Sequence, residues 1–457
     1  MKKLYPYILL IFSFLSTQSL KAQVNTQDSL ALVDLYNNTN GPHWWNRGGW
    51  LSKSPVSTWY GVTVTSDRVT TVTLYDNQLT GSIPSSMGNL VALDTLELGW
   101  NFNLTGDISI FNSLTNLLYF DLTDCSFTGS ISFLAKLRNP ESIWLTGNQL
   151  TGKIPVMNCA NLAILDLAYN KLSGAIPIFK KDTANFYGQY GVTIRLEHNN
   201  LTGNINKFDS IVHLTELLLS NNQLTGKIPA SLNKLTDLNA LGLSNNQLSG
   251  KIPSLDSLKL LSGFGLANNH FTFAGMEDLA SHFPNAAYSP QANINIQQNG
   301  NVLSVSAGGT ISNNTYNWYK NGVLFKSNVG TPRLVVRKNA NYSVAVTNSI
   351  ATQLTLYSDT VAVTGLLQNS IASAETTNNF SIYPNPVKTI ATISFKATGY
   401  STIKLTDVEG NTLLTKTINA NGKTTVQLDV SKYASGVYYV SLISDGKQSQ
   451  TVKLIKE

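Results

Sequence analysis

Residues 217–229 read LLLSNNQLTGKIP and residues 241–253 read LGLSNNQLSGKIP, nearly the same stretch written twice, 24 positions apart. Taking the asparagine before Gln223 and Gln247 as a marker, the series runs Asn77, Asn101, Cys125, Asn148, Asn170, Asn199, Asn222, Asn246 and Asn269, with steps of 24, 24, 23, 22, 29, 23, 24 and 23. A short unit of this size cannot bury its apolar side alone. Stacked copies can, each touching only its neighbours, so a fixed period of this length dictates a solenoid.

The residue types inside the period agree. The apolar positions follow L-x-x-L-x-L-x-x-N-x-L, as in Leu214, Leu217, Leu219, Asn222 and Leu224. On a short strand the two leucines of L-x-L point inward and the residues between them outward. The marker asparagine turns inward as well, where its amide can satisfy main-chain groups that would otherwise be buried without partners. This is the pattern of a leucine-rich repeat, and it predicts an α/β solenoid with nine parallel strands. Cys125 replaces asparagine in the third unit and reads as one more buried rung. Cys159 falls eleven residues past Asn148, on the opposite side of the coil. A bridge needs Cα atoms within about 7 Å, so both cysteines are expected as free thiols.

After the marker the chain writes LTGSIP at 79–84, LTGKIP at 150–155 and LSGAIP at 172–177. Glycine permits a turn there and proline prevents a helix from starting. This form resembles the plant-type leucine-rich repeats of receptor kinases and polygalacturonase inhibitors. The preceding cap resembles theirs too: an amphipathic helix around DSLALVDLYNNTNG, then HWWNRGGW and TWYGVTV. Where the plant cap carries cysteines, this chain has Ser57 and Val64. Packing of Trp44, Trp45, Trp50 and Trp59 is therefore expected to hold it together.

The period stops near residue 288, and short alternating strands follow. YNWYKNGVL places Trp318 on a strand before an Asn-Gly hairpin turn. With Tyr342 two residues before inward-facing Val344, the segment resembles an immunoglobulin-like sandwich. Val344, and Leu303 or Val305, stand where its cysteines would be. The last segment opens FSIYPNPV, passes through SGVYYVSLIS and ends VKLIKE. It resembles the type A C-terminal sorting domain of type IX secretion in Bacteroidetes, which implies passage across the outer membrane by that machinery. The expected organisation is a signal peptide at 1–22, a cap at 23–68, repeats at 69–288, an immunoglobulin-like domain at 289–365, a linker at 366–378 and the sorting domain at 379–457, the last two domains being all-β sandwiches.

The signal peptide is read from MKKLYPYILLIFSFLSTQSLKAQ, with two lysines, an apolar run from Tyr7 to Leu15 and a small residue, Ala22, before the cut. That run is too short to span about 30 Å of hydrocarbon, so no transmembrane segment is expected in the mature chain. Together these features imply a secreted or cell-surface protein. A net charge of +6 spread without Lys/Arg runs argues against nucleic acid, and two cysteines in 457 residues exclude a disulfide scaffold. The five histidines (His43, His198, His213, His270 and His282) match no metal-ligand spacing, and no nucleophile elbow or phosphate loop occurs. No catalytic residue, metal or cofactor is expected.

What remains is binding, and the repeat says where. The outward strand positions line the concave face, the usual interaction surface of such solenoids. Units one to six place Tyr75, Glu97, Tyr119, Asp121, Trp144, Asp166, Arg195 and Glu197 there. Units seven to nine offer mainly Ser, Gly and Ala. Aromatic and arginine side chains make hot spots where small ones rarely do. The expected partner is a protein bound on this face, with a glycan stacked on the same aromatics as the alternative. A 178–190 insertion, carrying Phe186, Tyr187 and Tyr190, accounts for the one step of 29.

Overall fold

The protein is known from a computed structural model, which describes residues 24–179, 191–206, 208, 211, 213–365, 380–444 and 447–457. The signal peptide, residues 180–190 of the insertion with their three aromatics, and the linker lie outside the described residues. The chain forms two compact units, residues 1–366 and 367–457.

The first unit comprises the solenoid and the β segment C-terminal to it. Nine parallel strands, from Arg68–Thr73 to Gly263–Gly265, stack in chain order, with Val62–Thr65 added antiparallel at the start. The inward leucines are fully buried, as Leu214, Leu217, Leu219 and Leu224 show. A second parallel sheet runs beside the first, from Thr80–Ser82 to Gln247–Leu248, and is built from the LTG segments. The sequence pattern reads these segments as turns. Only two residues alternate before the glycine swings to positive φ, as Gly152 does at 83°, too short a run to register as a strand. Convex crossings are brief 3-10 turns such as Ser85–Asn89 and Ala230–Lys234. Among the described residues α-helix is confined to Thr26–Asn38 and Met276–His282.

The marker asparagines form the expected ladder. Asn101 Oδ1 accepts the N–H groups of Asn77 (3.0 Å) and Leu79 (2.9 Å), while Nδ2 donates to the carbonyls of Leu74 (2.9 Å) and Leu98 (2.7 Å). The two Nδ2 bonds recur at Asn148, Asn170, Asn199, Asn222, Asn246 and Asn269, where Oδ1 accepts one N–H of the preceding unit, as Asn222 does from Leu201. Cys125 and Cys159 are both buried and free. The Cys125 thiol donates weakly to the Leu98 carbonyl at 3.4 Å, and the Leu104 N–H turns to its own loop, bonding the Asn101 carbonyl at 2.8 Å. A tenth rung lies beyond the sequence period. Gln291 Nε2 donates to the carbonyls of Leu266 (2.9 Å) and Tyr288 (2.7 Å), and its Oε1 accepts the Phe271 N–H (3.1 Å).

Both ends of the coil are sealed. At the start, Tyr36, Trp44, Trp50 and Trp59 pack ring on ring with centroids 4.9–6.1 Å apart. Buried Asp28 is gripped by both Arg68 Nε and Nη2 at 2.9 Å and accepts the Val69 N–H. Trp45 departs from expectation: it is 65% exposed, because its main chain is turned by bonding the Asn77 carbonyl, leaving its ring outside the cluster. At the far end the helix Met276–His282 meets the C-terminal β segment of this unit. Glu277 accepts hydrogen bonds from the Thr310 N–H and hydroxyl, Asn313 and Asn348, and Phe273 N–H bonds the Ala307 carbonyl. Trp318 and Val344 there are buried in an apolar core continuous with that of the repeats.

The second unit has its own core and antiparallel strands. Ile390–Thr406 pairs along its whole length with Thr412–Asp429, but with Gly436–Ser444 only over Ser401–Thr406. Asn385 of the opening motif donates to the Lys453 carbonyl at 2.6 Å and accepts the Ile455 N–H at 2.8 Å. Those two bonds tie YPNP to VKLIK, the first and last motifs of the domain. Among the described residues no helix is long and apolar enough to cross a membrane.

Candidate functional site

Strand pairing sorts the concave face into ranks. The pairs Thr73–Glu97, Glu97–Asp121, Asp121–Trp144, Trp144–Asp166, Asp166–Arg195, Arg195–Leu218, Leu218–Gly242 and Gly242–Gly265 define the central rank. Tyr119 belongs to the rank before it, paired with Thr95 and Ser142. Its hydroxyl donates to the Glu141 carboxylate. Tyr75 and Glu197 each lie two residues further along their strands than the central rank. The three expected aromatics thus occupy three different ranks, and only Tyr75 and Trp144 meet at one place.

That place is an open depression of about 390 Å³ lined by Tyr75, Glu97, Trp100, Asp121, Thr123 and Trp144. Asp121 Oδ1 accepts the Thr123 N–H at 2.7 Å. Its carboxylate also lies against Gly99, where a Cβ would come within 2.6 Å of Oδ1. A side chain at 99 would push Asp121 away, so the small residue is part of the site. Burial raises the Asp121 carboxyl above its ordinary range, against the Thr123 bonds that lower it. Burial raises the Tyr75 hydroxyl too, reinforced by the charges of Asp121, Asp76 and Asp124. Several carboxylates therefore act on one spot.

Trp100 is the residue that sequence reasoning missed. It precedes a ladder asparagine, a position that reads as turn and not as face. In the structure that position is left-handed in unit after unit, with φ of 60° at Trp100, 50° at Asp124, 51° at Tyr169 and 55° at His198. Each N–H there bonds a carbonyl of the next unit, as Trp100 does to Thr123 at 2.7 Å and Tyr169 to Glu197 at 2.9 Å. The left-handed turn makes a further outward rank along the rim. On it Trp100 meets Tyr75 with ring centroids 6.0 Å apart and Phe102 at 6.3 Å, and Tyr169 stacks on His198 at 4.1 Å. The sequence signal was a tryptophan where units seven to nine place Asn221, Asn245 and Asn268.

Asp166, Arg195 and Glu197 come together further along, with Glu216. Arg195 Nη2 lies 2.9 Å from Glu216 Oε2, and Nη1 lies 3.8 Å from Asp166 Oδ2. Burial raises both the Asp166 and Glu197 carboxyls. Glu197 Oε2 is buried with no hydrogen-bond partner among the described residues. Among the described residues no three His, Cys, Asp or Glu side chains are grouped to hold a metal.

The chain matches the secretion system C-terminal sorting domain over residues 381–457 and the leucine-rich repeat over residues 68–90 and 213–235. It is similar to polygalacturonase inhibitor 1 of Arabidopsis thaliana, 32% identical over 105 residues, covering 22% of this chain and 31% of that protein. It is also similar to receptor-like protein 35 of Arabidopsis thaliana, 34% identical over 141 residues, 28% of this chain and 14% of that protein. The chain therefore spans less than a third of the length of either. Among solved structures, the ectodomain of a membrane receptor kinase from Arabidopsis thaliana, in complex with Casparian strip integrity factor 2, is 32% identical with a TM-score of 0.47, covering 54% of this chain and 30% of that one. The protein carries leucine-rich repeats and a C-terminal sorting domain, which directs export to the cell surface or the extracellular space.

Proposed function

We propose that this is an exported recognition protein that binds a polypeptide partner on the concave face of its first six repeats, at the surface or after release from it. One observation carries the reading: the depression between Tyr75, Trp100 and Trp144 with Glu97 and Asp121 at its walls. None of these side chains is needed by the repeat, since in units eight and nine the central rank holds Gly242 and Gly265, the Tyr75 position holds Ser244 and Ala267, and the Trp100 position holds Asn245 and Asn268. Half-buried aromatics beside polar groups are what interface hot spots are made of. The similarity to a protein named for inhibiting polygalacturonase agrees with a scaffold of this kind engaging another protein.

A glycan is the second reading, favoured by the Tyr75–Trp100 ring pair standing beside Asp121, since ring faces stack on sugars and a carboxylate accepts from hydroxyls. Glycan arrays run beside affinity captures from proteins of the surroundings separate the two. With the ligand in hand, calorimetry on Trp144→Ala should show binding weakened by about 2 kcal/mol or more, while Ser244→Ala leaves it unchanged and circular dichroism leaves both folded. Equal affinity for wild type and Trp144→Ala would move the site off this face.

A further inference from the structure

Resting on that concave-face reading, we infer that the depression takes an arginine side chain of the partner polypeptide. Its walls are three aromatic rings and two carboxylates, and no lysine or arginine lines it. Ring faces attract cations, and this one sits among Glu97, Asp121, Asp76 and Asp124. Along the central rank the first cation is Arg195, three strands beyond Asp121 and already engaged by Glu216 and Asp166. The negative charge of the depression is therefore not neutralised from within the face.

Two further points select the occupant. The chain as a whole carries +6, so it repels a strongly basic partner at a distance; an isolated cationic side chain suits it better than a polybasic surface. A guanidinium suits the walls better than an ammonium, because its plane stacks on rings and its fork matches a carboxylate. Asp121 commits Oδ1 to the Thr123 N–H and holds no ion pair among the described residues, and neither does Glu97. The volume of about 390 Å³ lies in the ordinary range for a pocket that buries a small group, about 300–1,000 Å³.

The test uses the full chain and two tripeptides, acetyl-Gly-Arg-Gly-amide and its citrulline twin, which keeps the shape of arginine without the charge. Titration is followed by tryptophan fluorescence and calorimetry at low salt. The arginine peptide should bind at least about tenfold tighter, a difference of about 1.4 kcal/mol. Asp121→Asn, which retains an acceptor for the Thr123 N–H, should abolish the preference, whereas Ser244→Ala should keep it. Equal affinity for the two peptides, a preference that survives Asp121→Asn, or no binding of the arginine peptide at about 10 mM overturns the inference. Binding of cellohexaose that is lost in Trp144→Ala, with both peptides inert, overturns it too but leaves the concave-face reading standing. Failure of that reading shows separately, as a captured partner indifferent to Trp144→Ala.

Discussion

The inner and outer sides of the repeat follow opposite rules. Inside, each unit repeats its neighbour: Asn101, Asn148, Asn170, Asn199, Asn222, Asn246 and Asn269 make the same amide bonds at the same places. Outside, the central rank reads Thr73, Glu97, Asp121, Trp144, Asp166, Arg195, Leu218, Gly242 and Gly265, with no two adjacent units alike until the last pair. Buried polar groups must be satisfied in one geometry, so the interior tolerates little change. The exposed rank is under no such constraint. Variation there, dense in units one to six and fading toward Gly242 and Gly265, is what the proposed partner-binding face would require.

The contrast is sharpest where an interior rung is removed. Asn101→Leu strands the N–H groups of Asn77 and Leu79 and the Leu74 carbonyl in an apolar core, and leaves the Leu98 carbonyl only its weak bond from the Cys125 thiol. It should cost about 3–5 kcal/mol in urea unfolding, at about 1–3 kcal/mol for each unsatisfied group partly relieved by relaxation. A loss no larger than that of an outward substitution such as Ser244→Ala would erase the distinction.

A second test asks whether the β segment after the repeats belongs to the interior side of the comparison. Burial opposes ionisation of Glu277, but hydrogen bonds from Thr310, Asn348 and Asn313 outweigh it and hold the carboxyl below its ordinary 4.5. A depressed carboxyl contributes stability in full above the unfolded value and loses it as pH falls through the folded one. Thermal unfolding should therefore show stability dropping below about pH 4.5, and Glu277→Gln should flatten that drop while costing about 1–2 kcal/mol at pH 7. An unchanged acid limb in Glu277→Gln would place the clamp outside the cooperative unit.

The smallest effect belongs to the one rung that is not an amide. Cys125 bonds only weakly, and Leu104 has already found another acceptor, so Cys125→Asn should shift unfolding by less than about 1 kcal/mol. Burial pushes its thiol up to about 12, which predicts no reaction with a disulfide reagent at pH 8 until the protein unfolds. Rapid labelling of the folded protein would mean that the third rung is open.

Much of this was legible from residue order, for a physical reason. A repeat whose units touch only their neighbours encodes its contacts locally, so the period alone determined the nine strands, the asparagine ladder, the free cysteines and the outward positions of Tyr75, Trp144 and Asp121. The sorting domain was legible in its motifs, and Asn385 shows why they travel together: the first clips onto the last. Tertiary structure alone decided what depends on backbone conformation or on contacts between distant segments. Left-handed φ at the residue before each of the nine markers turned Trp100 onto the rim and made the depression. Register placed Tyr119 a rank away from Trp144, on Glu141. Gln291 supplied a tenth rung from a segment with no repeat pattern, because a carboxamide one methylene longer still reaches the carbonyls of Leu266 and Tyr288.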